Sequence, residues 1–239
     1  VDLAKQLKKE VKFFGNPFMD KLLINKSKNK SKIFHISFLP GSRIPEMNNN
    51  LELMLALLEF LSNYNYFQNM SFNFALVTQF SADNLKLALL KRKWQFKTIR
   101  TNANFCNAKF KLINVNFQWN TFDEILQKSD LIISMAGTAT EQAIGLGKPV
   151  IQMEGKGPQF TKRFAEAQRR LLGDYVFCAT NYSNKSDQLK ETYNLLLRII
   201  YMMKLDKNFL VNCKRNALLR IGEYGAGDSI INDLKNLIN

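Results

Sequence analysis

Residues 33–46 read IFHISFLPGSRIPE, and this stretch decides the fold. Its first seven residues are almost continuously apolar, which is typical of a parallel strand buried on both faces. The Pro40-Gly41 pair ends the strand, and Pro45 is favoured at the first position of a helix. Apolar residues then recur at helical spacing to about residue 62, so the sequence predicts a helix directly after the strand.

The same alternation of strand and helix continues along the chain. Strands alternating with helices imply right-handed crossovers, and therefore an α/β fold with an open parallel, Rossmann-like sheet and helices on both faces. The predicted strands are 72–77, 110–115, 131–134, 149–153 and 175–177; the predicted helices are 82–92, 121–128, 138–146, 160–171 and most of 186–239, with a glycine-rich break at 222–227.

The composition excludes several classes of protein. Of the 239 residues 46% are apolar and 23% charged, which is ordinary for a globular chain. The three cysteines lie far apart and there is one histidine, so we expect a reducing, cytoplasmic setting, no metal and no cofactor. The sequence has no run of 18 apolar residues that would span a membrane.

The net charge of +14 is concentrated in three clusters, at 1–32, 91–100 and 156–170. Nucleic acid, an anionic membrane surface or a phosphorylated ligand would each suit such charge, and so would a plain solvated surface. Nucleic acid is the weaker interpretation, because none of the usual RNA-binding signatures is present.

Three loops are expected at the carboxyl ends of the strands, where open α/β sheets bind ligands. They are residues 40–43, 135–142 and 154–161. Signatures of other sites are missing: there is no P-loop and no Gly-x-Gly-x-x-Gly after a strand. His35 lies within an apolar strand and is interpreted as a core histidine, and Ser42 has no evident histidine partner for nucleophilic chemistry.

The second of these loops is the most informative. Gly137 allows a ligand to approach the backbone, and Thr138, Ala139 and Thr140 form the first turn of the next helix. Unpaired N–H groups and two hydroxyls there would cradle an anion. Spacing alone equally allows that the threonines cap a helix.

Three further side chains fit the same ligand. Arg43 would offer a planar fork to phosphate oxygens, although from spacing alone it is equally well a surface residue. Glu141 and Gln142 would share hydrogen bonds with ribose hydroxyls.

Two of the loops resemble motifs of a known family. Residues 38–43 followed by Glu46 resemble the hydrophobic–Pro-Gly-Ser-Arg-x-x-Glu motif of lipid-A-disaccharide synthases, and 129–149 resembles a second motif of that family. Residues 15–17 stand where the family has Gly-His-Pro, with Asn16 in place of the histidine, and 225–227 resemble its Gly-Ala-Ser segment. Residues 137–142 and 155–161 are closer still to a lipid-A-disaccharide-synthase-related family.

The resemblance implies the donor-binding C-terminal half of a GT-B glycosyltransferase. Residues 1–20 would then be a remnant of the N-terminal half and the crossing between halves, 21–221 the nucleotide-sugar-binding domain, and 222–239 a C-terminal helix. The enzyme would transfer a hexose from a UDP-sugar to a lipid-linked or glycolipid acceptor in lipid A biosynthesis, as a peripheral protein at the inner face of the membrane. The general base would lie in the missing N-terminal half. The protein partner would be either that half or a second copy of this chain.

The resemblance also implies roles for single residues. The diphosphate of UDP would be held by Gly137, Thr138, Ala139 and Thr140. The diphosphate and sugar side would be lined by Gly41, Ser42 and Arg43, with Arg43 as the catalytic residue, and Gln159 would contact the sugar. The ribose-binding glutamate of the family coincides with Gln142, one position after Glu141. Alternatives are a non-catalytic sugar-nucleotide-binding module, a sugar-nucleotide epimerase and, less favoured, a basic nucleic-acid-binding protein.

Overall fold

A computed structural model describes residues 11–22, 32–100, 104–155, 161–179 and 182–238, with the backbone alone for 97–100. The predictions for the first ten residues, most of the lysine-rich loop and Gln159 lie outside these ranges.

Strands and helices alternate over most of this part of the chain. The strands are β1 (His35–Leu39), β2 (Ser71–Leu76), β3 (Gln95–Arg100), β4 (Phe105–Phe110), β5 (Ile113–Trp119), β6 (Leu131–Ser134), β7 (Val150–Gln152) and β8 (Val176–Cys178). The α-helices are α1 (Glu46–Leu61), α2 (Ala82–Lys91), α3 (Phe122–Lys128), α4 (Thr138–Gly145), α5 (Lys162–Leu172), α6 (Lys185–Leu205), α7 (Phe209–Arg220) and α8 (Ala226–Ile238). Short 3₁₀ turns occupy Pro17–Met19 and Asn65–Phe67.

The strands form one open, mostly parallel sheet in the order β3-β4-β5-β2-β1-β6-β7-β8. This confirms the predicted fold class. The sheet also contains an antiparallel extension, because β3 pairs with β4 and β4 with β5 in antiparallel register. Strands β3 and β4 were not predicted from the sequence, and the following strand was predicted at 110–115, whereas β5 runs from Ile113 to Trp119.

Helices cover both faces of the sheet, and alternate residues of β6 demonstrate this. Ile133 packs in a core cluster with residues of α1 and α6, while its neighbour Ile132 packs in a second cluster with residues of α3 and α4. Successive side chains of a strand point to opposite faces, so the two clusters lie on opposite sides of the sheet. None of the helices in the described ranges is both long and apolar enough to cross a membrane.

The order of the strands reverses direction between β1 and β6. From β1 the chain continues to β2 on one side, and β6, β7 and β8 follow on the other. The crevice at the carboxyl ends of two such strands is where doubly wound sheets bind ligands.

The segment 11–22 is fastened to the C-terminal part of the chain. The N–H of Asn16 donates to the carbonyl of Ile221 at 2.8 Å. The carboxylate of Asp20 accepts hydrogen bonds from the N–H groups of Gly225 and Gly227, at 2.6 and 2.8 Å, at the start of α8. Lys12 pairs with Asp233 at 2.6 Å.

Candidate functional site

A cavity of about 660 Å³ opens at the carboxyl edge of the sheet, at the point where the strand order reverses. The loops after β1 and β6 form its base, and α1, α4 and α5 contribute walls. Of the sequence-predicted site residues, eight line it: Gly41, Ser42, Arg43, Gly137, Thr138, Ala139, Glu141 and Gln142.

The loop after β1 passes very close to the loop after β6. Gly41 has φ +95°, and a Cβ at this position would stand 3.1 Å from the carbonyl oxygen of Met135. A side chain there would be strained and would push the loops apart. The next residues, Ser42 and Arg43, are exposed at the cavity wall, and the Arg43 guanidinium forms no ion pair with any of the described residues.

Asn50 of α1 ties the two loops together. Its Nδ2 donates to the carbonyl of Pro40 at 2.9 Å and to that of Met135 at 3.4 Å, and the side chain is fully buried. Its Oδ1 accepts no hydrogen bond from the described residues. The amide therefore donates to one carbonyl of each loop and holds the two loops together.

The N-terminus of α4 points its free amides into the cavity. The helix begins at Thr138, and its N-cap, Gly137, has no side chain to cap the first turn. The N–H groups of Thr138 and Ala139 have no acceptor among the described residues, as expected for a first turn. The Thr138 side chain is exposed. Two amides and one hydroxyl are thus available to an anion, with the helix dipole behind them.

Thr140 does not contribute as predicted from the sequence. Its N–H donates to the carbonyl of Gly137 at 2.9 Å, and its hydroxyl, which is fully buried, donates to the carbonyl of Ala136 at 2.6 Å and lies 2.7 Å from the Ser134 hydroxyl. The prediction of an outward-facing hydroxyl and a free amide at Thr140 is therefore wrong. This residue stabilises the loop from inside.

The next turn of α4 is held from behind by the segment 11–22. Asn16 donates from Nδ2 to Oε2 of Glu141 at 2.9 Å, and Gln142 donates from Nε2 to the carbonyl of Phe18 at 3.0 Å. The second oxygen of Glu141 accepts nothing from the described residues, so it remains available in the cavity.

The wall contributed by α5 was missed by the sequence analysis. Phe164, Ala167, Gln168 and Leu171 line the cavity at the spacing of one helix face. Leu171 is 61% exposed, so this face turns towards the crevice and not towards the core. The spacing was visible in the sequence, but it is the same as that of an ordinary core-facing stripe.

Hydrogen-bond donors and acceptors lie near one another in the cavity lining. Arg43 and the amides of α4 supply donors and positive potential, whereas Glu46 and Glu141 supply carboxylate acceptors. Such a wall suits a ligand that combines an anionic group with hydroxyls. Among the described residues no three His, Cys, Asp or Glu side chains are grouped to hold a metal ion.

The other predicted polar residues lie elsewhere. His35 is half-buried at the amino end of β1, the end opposite the cavity, and burial lowers the pKa of its ring. The three cysteines are free, and burial raises the pKa of each thiol: Cys106 and Cys178 to about 11 and Cys213 to about 12. Protonated thiols of this kind are poor nucleophiles.

Comparison with known proteins identifies the fold. No family model and no curated protein matches the sequence. Among solved structures, the chain is similar to a putative UDP-N-acetylglucosamine 2-epimerase from Listeria monocytogenes, with 15% identity, a TM-score of 0.55, and 94% of this chain matched to 53% of that one. It is also similar to S. aureus MnaA in a co-structure with UDP, with 15% identity, a TM-score of 0.56, and 95% of this chain matched to 54% of that one. The chain thus spans about half the length of the structures it matches, and it has a Rossmann-like fold of the GT-B type.

Proposed function

We propose that the chain is the donor-binding half of a UDP-sugar-dependent glycosyltransferase related to lipid-A-disaccharide synthase. The observation that carries the proposal is the cavity at the reversal of strand order. There the amides of α4 and the Arg43 guanidinium, which have no partner among the described residues, stand on the same wall as the carboxylates of Glu46 and Glu141. A nucleotide-sugar carries both groups that this wall suits: a diphosphate and several hydroxyls.

The structural neighbours support the choice of nucleotide. One is a putative UDP-N-acetylglucosamine 2-epimerase, and the other was solved with UDP. At 15% identity the likeness itself concerns the fold. For this chain, UDP is therefore a proposal supported jointly by the motif resemblance and by the chemistry of the cavity.

The groups on the wall suit the leaving group of a glycosyl transfer. When the bond between the sugar and the diphosphate breaks, negative charge grows on the diphosphate oxygens. Fixed N–H dipoles at Thr138 and Ala139 and the cation of Arg43 would stabilise that charge without reorganising. Removing one donor of this kind typically costs about 10²–10³ in rate. The acceptor hydroxyl needs a base, and the family resemblance puts that base in the other half.

Isothermal titration calorimetry of the chain with UDP, UDP-N-acetylglucosamine, ADP and dTDP tests the proposal. We expect UDP and the UDP-sugar to bind and the other nucleotides to bind more weakly. A folded chain that binds neither UDP ligand would contradict the proposal. Arg43→Ala is the matched variant, because its exposed side chain can be removed without disturbing the core.

The epimerase alternative concerns the same ligand, and a second measurement separates it. The chain is incubated with UDP-N-acetylglucosamine, and the sugar is analysed by NMR. Conversion to the 2-epimer by this chain alone would replace the glycosyltransferase proposal. Binding without conversion is expected for a donor-binding half. A steep salt dependence of RNA binding that Arg43→Ala leaves unchanged would instead favour the nucleic-acid interpretation.

A further inference from the structure

A buried pair of glutamines lies beneath the α5 wall of the cavity. Gln152 ends β7 and is 2% exposed, and Gln168 of α5 is 6% exposed. Gln152 donates from Nε2 to Oε1 of Gln168 at 2.5 Å. Because this contact occupies the oxygen of Gln168, it fixes the amide plane and leaves the Nε2 donors of Gln168 on the other side.

Those donors lie beside the N-terminus of α4. A Cβ added to Gly137 would be 3.9 Å from Gln168 Nε2, and Gln168 lines the cavity. No described residue accepts a hydrogen bond from this nitrogen. This nitrogen is not itself fully buried, so it is open to the cavity, where a ligand can supply the acceptor that the protein does not. The neighbouring free amides of Thr138 and Ala139 present the same polarity to the same space.

The buried polar atoms that lack a hydrogen-bond partner belong to side chains around the same site. Among the described side chains, two buried polar atoms have no hydrogen-bond partner, Asn50 Oδ1 and Gln152 Oε1. Asn50 ties the two cavity loops together, and Gln152 orients the amide that lines the cavity wall. In each amide the nitrogen donates a hydrogen bond while the oxygen stays without a partner. Such an arrangement is expected where the position of the amide serves a binding site more than its own hydrogen bonding.

We propose that Gln168 is a ligand-binding residue of this cavity, which donates from Nε2 to a phosphate oxygen of a bound nucleoside diphosphate, and that Gln152 is its positioning residue. The inference rests on the proposed function and adds a neutral donor to the diphosphate site. It also places a glutamine contact nine positions after Gln159, which the sequence analysis had assigned to the sugar.

Calorimetry of variants tests the inference with three probes: UDP, UDP-N-acetylglucosamine and inorganic pyrophosphate. Gln168→Met keeps the volume and removes the donor, so we expect all three to bind about tenfold more weakly, the range for a hydrogen bond to a charged group. Gln168→Glu places a carboxylate at the phosphate and weakens binding further. Gln152→Met leaves the Gln168 donor but releases its orientation, and we expect a smaller loss, about threefold.

A matched control is available in the sheet. Asn116 donates from Nδ2 to Oδ1 of Asn73 at 3.0 Å, and this amide pair does not line the cavity. Asn73→Leu should lower the thermal unfolding midpoint and leave the three affinities unchanged.

The outcomes are distinct. Unchanged affinities in Gln168→Met overturn the inference alone, and a loss confined to UDP-N-acetylglucosamine overturns the phosphate contact in favour of the sugar. If the wild-type chain binds none of the three probes, the proposed function fails and the inference falls with it. Circular dichroism spectra matching the wild type exclude misfolding as the cause of any loss.

Discussion

Asn16 and Glu141, 125 positions apart in the chain, are joined by a 2.9 Å hydrogen bond from Nδ2 to Oε2. Asn16 is itself immobilised, because its N–H donates to the carbonyl of Ile221 and its Oδ1 accepts from the N–H of Phe18. One oxygen of Glu141 is thus fixed from behind, and the other remains for a ligand. Asn16 thus positions the carboxylate of Glu141, the residue predicted from the sequence to hydrogen-bond ribose hydroxyls.

The first prediction concerns this pair and the sugar of the nucleotide. Glu141→Ala should remove most of the preference for UDP over 2′,3′-dideoxy-UDP, since a carboxylate that accepts from a hydroxyl contributes only when the hydroxyl is present. Asn16→Ala should reduce the same preference by a smaller factor, roughly threefold. Competition calorimetry measures both. An equal loss of affinity for the two nucleotides would show that Glu141 does not read the ribose; Glu124→Gln, on the exposed part of α3, serves as the control.

The second prediction concerns Arg43. Arg43→Ala, which removes an exposed side chain, should weaken UDP binding by roughly tenfold to hundredfold, the range for hydrogen bonds to a charged group. Arg43→Lys should recover only part of this, because an ammonium lacks the planar fork. The thermal unfolding midpoint should stay within about a degree or two of the wild type, as for most exposed substitutions. Full affinity for UDP in Arg43→Ala would remove the residue from the site.

The third prediction separates two neighbouring threonines. Thr140→Val removes a buried hydroxyl that donates to the Ala136 carbonyl, so we expect the free energy of unfolding to fall by about 1–3 kcal/mol. Thr138→Val changes an exposed hydroxyl, so stability should hardly change while UDP affinity falls several-fold. Urea unfolding and calorimetry on both variants give the comparison. The reverse pattern would mean that Thr140, and not Thr138, faces the ligand.

The fourth prediction is a dependence of stability on pH. Hydrogen bonds from the N–H groups of Gly227 and Gly225 hold the pKa of Asp20 below its ordinary value of 3.8. A carboxyl with a depressed folded-state pKa stabilises the fold above its unfolded-state pKa, and this contribution is lost as the pH falls through the folded-state value.

Asp20→Asn should therefore lower the urea midpoint at pH 7, and the difference from wild type should shrink below pH 3.8. Asp174→Asn, at an exposed position, is the control. A difference that stays constant down to pH 2 would rule out the carboxylate as the cause.

The fifth prediction concerns an ion pair far from the cavity. Arg92 makes two hydrogen bonds to Glu59, of 2.7 and 2.6 Å, and Glu59 also accepts from the Trp94 ring nitrogen at 2.8 Å. Arg92→Met should lower the free energy of unfolding by about 1–3 kcal/mol, because it leaves a half-buried carboxylate with less compensation. Glu52→Gln, the more exposed partner, should cost less than about 1 kcal/mol. UDP affinity should be the same in both variants.

The parallel part of the sheet was predictable because its strands are buried on both faces. The run LIIS of β6 is buried at every position, and such runs stand out from polar surroundings. Of the two strands that were missed, β4 alternates, with Cys106 and Ala108 buried and its other positions more exposed. A half-exposed strand near the edge of a sheet, as β4 is, gives a weaker apolar signal than a strand buried on both faces.

The location of the cavity was also predictable, but the geometry of its lining was not. The loops after β1 and β6 follow from topology alone. The direction in which Thr140 points depends on the exact start of α4, and the spacing of residues cannot specify this. Asn50 and Gln168 were missed because amides within helices carry no motif, and their role becomes visible only once the carbonyls and donors around them are located in space.

The fastening of residues 11–22 has a practical consequence for anyone trimming this protein. A fragment that starts at residue 23 would uncap α8 at Asp20 and release Glu141 from Asn16. A stable fragment should therefore include residues 11–22. A fragment that begins at residue 21, the domain boundary predicted from the sequence, should unfold more easily and discriminate less between nucleotides.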